Sequence, residues 1–106
     1  MEVIVDGELQ ELLINGNSKI YRDIARNTVL MKGYRRAVAT MQAVRNSKEL
    51  HTFSYLHYEQ LKHEYSGYSS VRLSNGYVHR LIFKEHDDCI SLELIDIDDT
   101  HYGNKK

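Results

Sequence analysis

The sequence predicts an α+β domain, with N-terminal helices packed on a small antiparallel β-sheet. Apolar residues recur at helical spacing in the first half of the chain, while the second half alternates polar and apolar residues around two turn signals. Helices first and a meander afterwards, closing on one core, make the α+β arrangement.

In chain order, MEVIVD (1–6) allows a short first strand, with Val3 and Val5 alternating against polar or terminal positions. GELQELLINGNS (7–18) reads as a short helix. Its Leu9, Leu12 and Leu13 share a face, and Gly16 is placed to end it as a C-terminal cap. Asn17 or Ser18 can cap the next helix. From about 19 to 45, Ile20, Ile24, Leu30, Tyr34, Val38, Met41 and Val44 recur at roughly helical spacing, with Asn27-Thr28 as a break or kink. The Lys and Arg residues fall mostly off that stripe, so the helix is amphipathic and basic-backed. HTFSYLHYEQLKHEYSGY (51–68) has no pattern that fixes its local structure. Beyond it, residues 69–98 read as three antiparallel strands at about 69–74, 77–85 and 89–97, with turns at Asn75-Gly76 and Asp87-Asp88.

The hairpin register decides where two arginines lie. A two-residue Asn75-Gly76 turn sets Arg72 opposite His79 and leaves Arg72 and Arg80 on opposite faces. A three-residue Ser74-Asn75-Gly76 loop with a left-handed Gly76 pairs Leu73 with Tyr77 instead. Val71, Leu73, Tyr77, His79, Leu81 and Phe83 then share one face, and Ser70, Arg72, Val78, Arg80 and Ile82 the other. The second register has the more apolar inner face and is the one expected. It sets the two arginines side by side, where they need an anion between them or a carboxylate from a neighbouring strand.

At 106 residues the chain is long enough for one domain (1–106) with a modest core. The net charge of −1 names no partner, but its distribution is uneven. Residues 19–48 carry eight Lys or Arg against Asp23 alone, and residues 81–101 carry seven acids against Lys84. The basic element is either a solvated face or a surface for a polyanion. Cys89 has no partner for an intrachain disulfide, which suits a reducing cytoplasm. The start lacks a positive region followed by a long apolar run, so neither a signal peptide nor a membrane span is expected. Six histidines are present, but no HExxH or Cys-His spacing accompanies them, and no metal or other cofactor is expected.

EQLKHEYSGYSSVRLSNGYVHRLIF (59–83), then an acidic turn and apolar strand, then THYG (100–103), resembles the RelE/ParE superfamily of bacterial toxins. The front half is similar to its HigB branch, where LQELLINGNS and a long helix ending before SKEL have counterparts. The resemblance implies a RelE-like fold and, for HigB- and YoeB-like members, a metal-free endoribonuclease that cuts messenger RNA in the ribosomal A site. It implies as partners the ribosome, the mRNA and a cognate antitoxin, commonly with a helix-turn-helix part, through which alone operator DNA is reached. It assigns catalytic positions to Glu59, Arg72, Arg80, His101 and Tyr102. RNA-binding residues are expected at Lys62, His63, Tyr65 and Tyr68, with Arg35 and Arg36 on the basic helix.

Metal-free RNA cleavage asks for these residue types in its own right. A base must take the proton of the 2′-hydroxyl, a task open to Glu59, His57 or His63. An acid must protonate the leaving 5′-oxygen, and His101 titrates in the right range. Cations must meet the charge of the phosphorane-like transition state, which suits Arg72 and Arg80. Tyr102, or Tyr65 and Tyr68, can stack on a splayed base. Two other readings remain open: a ParE-like toxin that inhibits DNA gyrase by binding, and a toxin-fold module without activity.

Overall fold

The computed structural model describes residues 1–62, 66–88 and 90–99. Strand β1 (Glu2–Ile4) leads into helices α1 (Gly7–Asn15), α2 (Arg22–Ala25) and α3 (Thr28–Ala43). Two 3-10 turns (Ser47–Thr52 and Ser54–Leu56) follow, then β2 (Glu59–Gln60), β3 (Ser69–Arg72), β4 (Arg80–Glu85) and β5 (Ser91–Asp98). The expected α+β arrangement is present. The sheet is mixed rather than wholly antiparallel, in the order β1-β5-β4-β3-β2, because β1 runs parallel to β5.

Helix α1 ends where the glycine placed it. Gly16 takes the left-handed conformation (φ 71°) and its N–H donates to Leu12 O at 3.0 Å. The next element departs from expectation. Ser18 Oγ accepts from the N–H groups of Ile20 and Tyr21, so residues 18–21 form a capped turn and the helix starts only at Arg22. Ile20, expected on the apolar stripe, is therefore 69% exposed. The break at Asn27 is real: its side chain accepts from Leu30 N–H at 3.1 Å and caps α3. Leu30, Met31, Tyr34, Ala37, Val38 and Met41 then face the sheet at helical spacing.

The core lies between α1 and α3 on one side and Val71, Leu73, Leu81, Phe83, Leu92, Leu94 and Ile97 on the other. Helix α3 comes so close that Gly33 lies against the backbone of Leu73. Tyr34, fully buried, donates its hydroxyl to Leu9 O at 2.8 Å, and burial pushes its phenol pKa up.

The β3–β4 register differs from the expected one by two residues. Val71 pairs with Leu81 and Arg72 with Arg80, and Leu73 N–H meets His79 O rather than Tyr77. Gly76 is not left-handed, so the tight three-residue loop does not form and residues 77–79 stay out of the ladder. Tyr77 is anchored instead by its N–H to Ser74 O and by Asn27 Nδ2 donating to its hydroxyl. A shift of two preserves the pleat, so each side chain of β3 and β4 keeps its expected face. The strands are shorter than expected at 69–72, 80–85 and 91–98. The turn at Asp87-Asp88 is as expected, with Asp88 Oδ1 accepting from Ile90 N–H.

Candidate functional site

On the face of the sheet away from α3, Arg72 and Arg80 stand directly opposite one another on adjacent strands. Their surroundings differ. Arg80 is buried at 9% exposure, which an isolated guanidinium does not tolerate. Its Nε donates to Ser70 Oγ at 2.7 Å and its Nη2 to His57 O at 2.5 Å, while Glu59 Oε1 lies 3.7 Å from Nη2. Across the sheet its register partner is Asp98, a buried acid on β5. Arg80 thus meets protein groups, including the carboxylate of a nearby strand, which was one of the two outcomes open to it.

Arg72 is the opposite case. It is half-buried, and its Nε has no hydrogen-bond partner among the described residues. An N–H left so costs about 1–3 kcal/mol, a cost relieved when an acceptor arrives.

Glu59 reaches this face because β2 pairs with β3, with Glu59 opposite Ser70. Its side chain is 56% exposed, so one carboxylate both contacts Arg80 and meets solvent. His57 contributes its backbone: the residue is left-handed (φ 48°), which costs a non-glycine about 1 kcal/mol and turns its carbonyl towards Arg80. The only signal in the sequence for this carbonyl was its nearness to Glu59, since a backbone acceptor has no residue type.

Glu59, Arg72 and Arg80 are therefore brought together. Lys62 is exposed beyond the end of β2, and Tyr68 is half-buried beside β3, where its carbonyl accepts from Leu61 N–H. Arg35 and Arg36 belong to α3, on the other face of the sheet, and are not brought to the Arg72–Arg80 pair. Arg35 Nε donates to Leu13 O at 3.3 Å, and the Arg36 guanidinium stacks 4.2 Å from the Tyr55 ring centre. His63, Tyr65, His101 and Tyr102 lie outside the described residues, as does Cys89.

Of the acids of β5, Asp96 is engaged as well. Asp96 accepts from the Tyr21 hydroxyl at 2.5 Å, and burial together with that carboxylate pushes the Tyr21 phenol above its ordinary pKa. A second polar cluster, missed in the sequence, lies at the far end of β4. Glu85 accepts from Tyr58 and, at 2.7 Å, from Ser69, and the His51 ring lies 4.1 Å from the Tyr58 ring. Burial raises the Glu85 pKa, but the bonds from Tyr58 and Ser69 outweigh it and hold the carboxyl below the usual 4.5. Burial and the bond to Glu85 push the Tyr58 phenol to about 12.

Because its folded pKa is depressed, Glu85 stabilises the fold above about pH 4.5 and loses that contribution as the pH falls through the lowered value. The wild type is expected to lose urea midpoint more steeply than Glu85→Gln as the pH falls below about 4.5. Parallel curves for the two proteins would remove Glu85 from this role.

A solved structure supplies the comparison that decides the fold. A YoeB/ParE toxin from Agrobacterium tumefaciens superposes with a TM-score of 0.60 at 14% identity, covering 95% of this chain and 100% of that one. The chain has the RelE/ParE toxin fold. No protein-family model and no curated protein matches the sequence. In this toxin fold the candidate site occupies the sheet face that α3 leaves uncovered. Among the described residues, no helix of the toxin fold is long and apolar enough to cross a membrane. Asp23, His79 and Asp99, from separate parts of the chain, also place one potential metal-ligand atom each within 4.8 Å of one another.

Proposed function

We propose that this protein is the toxin of a type II toxin–antitoxin pair and cuts messenger RNA on the ribosome. The observation that supports this best is the direct pairing of Arg72 with Arg80, with Glu59 Oε1 3.7 Å from the second. Two cations and one solvent-reaching carboxylate on a single face suit a scissile phosphate.

In the proposed reaction Glu59 takes the proton of the 2′-hydroxyl, whose oxygen attacks phosphorus. The P–O5′ bond breaks, leaving a 2′,3′-cyclic phosphate and a 5′-hydroxyl. His101 protonates the departing oxygen, and Tyr102 or Tyr68 stacks on a base. Arg72, which is only half-buried, meets the phosphate oxygens, while Arg80 orients Glu59 and adds positive charge. The cognate antitoxin, proposed to be a helix-turn-helix protein, would cover this face and alone contact operator DNA. The pair would act in the cytoplasm.

One observation favours a second reading. Only 11% of the Arg80 side chain is exposed, which limits its direct contact with RNA and suits a ParE-like toxin that binds gyrase without cleavage. Cell-free translation and a gyrase supercoiling assay separate the two. The expected outcome is a message cleaved only when ribosomes are present, with supercoiling unaffected. Intact message beside inhibited supercoiling would select the gyrase reading.

A further inference from the structure

We infer that Asp23, His79 and Asp99 form a binding site for one divalent transition-metal ion. The three residues are far apart in sequence. They come from α2, from the β3–β4 connection and from the position just after β5, yet one ligand atom of each lies within 4.8 Å of the other two. One imidazole nitrogen with two carboxylate oxygens is a donor set for zinc, cobalt or nickel rather than for magnesium.

The distances suit an ion better than a hydrogen bond. His79 Nε2 is 3.9 Å from Asp23 Oδ2, too far to share a proton. Donors about 2.1 Å from a common ion stand roughly 3–4 Å apart, so this pair is already at ligand spacing. The 4.8 Å spread closes with small side-chain rotations, because Asp23 and Asp99 are both exposed.

His79 is the fixed member. Its side chain is only 14% exposed, its carbonyl accepts from Leu73 N–H, and its ring packs edge-on against Tyr77, which Asn27 holds. Its Nδ1 is buried with no partner among the described residues. Nε2 is the ring nitrogen that lies towards Asp23. Water fills the remaining coordination positions. The ion fastens α2 to the segments that immediately precede Arg80 and follow Asp98, and it takes no part in RNA cleavage. It therefore stands or falls independently of the nuclease reading.

The test is a Co²⁺ titration of the chelator-treated full chain, followed by visible absorption and by melting in Zn²⁺. One equivalent of Co²⁺ is expected to bind, and Zn²⁺ at about 100 times its Kd is expected to raise the melting temperature by about 10 °C. Asp23→Asn, at an exposed position, and His79→Gln are each expected to weaken binding at least about tenfold while circular dichroism stays unchanged. Absence of binding at about 1 mM metal overturns the site. So does wild-type affinity in Asp23→Asn, which remains decisive if His79→Gln fails to fold.

Discussion

Replacing Gly33 with alanine is expected to lower the melting temperature by about 10 °C. A Cβ at this position would lie 2.0 Å from Leu73 O and 2.8 Å from Leu73 C, both backbone atoms that cannot rotate away. Alanine in a helix interior gains about 1 kcal/mol over glycine, so propensity alone would stabilise the variant. Overpacking against backbone costs about 3 kcal/mol or more and wins. Either α3 must lift from the sheet, or Leu73 must move and weaken its bond to His79 O. Gly76→Ala is the matched control, since nothing lies within 4 Å of a Cβ there and its backbone is not left-handed. Thermal denaturation reads both variants. A Gly33→Ala protein that melts within about 3 °C of wild type would show that the helix–strand approach is looser than described.

Arg72→Ala and Arg80→Ala are expected to fail in different ways. Arg72 Nε is buried and bonds to nothing among the described residues, so its removal relieves that cost and is expected to leave stability unchanged or raised by up to about 1–3 kcal/mol. As the arginine free to meet the phosphate, its loss is expected to lower cleavage about 100- to 1,000-fold. Arg80→Ala removes the donors that satisfy Ser70 and the His57 carbonyl. The pairing with Glu59 adds little, because Glu59 is more than half exposed. The two hydrogen bonds decide the outcome, at about 2–3 kcal/mol together, and cleavage falls as well because Glu59 loses its support. Urea denaturation beside single-turnover cleavage separates the two. Equal destabilisation by both variants, or full activity in Arg72→Ala, would contradict the division of roles.

Much of the helical half was legible because its signals are local. Gly16 and Asn27 are a cap and a break whichever way the chain packs, and the stripe from Leu30 to Met41 repeats every three or four residues. The facing of Arg72 and Arg80 was legible for a different reason. The register error was two residues, and the pleat has a period of two. The loop departs from expectation because Asn75-Gly76 looks like a tight turn, whereas Tyr77 is held by Asn27 from outside the hairpin and the wider loop closes through Leu73 N–H on His79 O. The parallel pairing of β1 and the two-residue β2 depend on distant chain and leave no pattern in six or two residues. Of the candidate site, the residue types were visible. The partners of Arg80 were not, since they include a backbone carbonyl at residue 57 and a hydroxyl on another strand. The Asp23, His79 and Asp99 cluster was invisible to any search for metal spacing along the chain, because only folding brings residues 23, 79 and 99 together.

The most direct test of the nuclease reading is to map message ends on translating ribosomes incubated with this protein. Cuts confined to ribosome-bound codons are expected, with 2′,3′-cyclic phosphate on the upstream fragment and 5′-hydroxyl on the downstream one, and their loss in Glu59→Gln. Message that stays whole under the same conditions, or cuts that persist undiminished in Glu59→Gln, would contradict it.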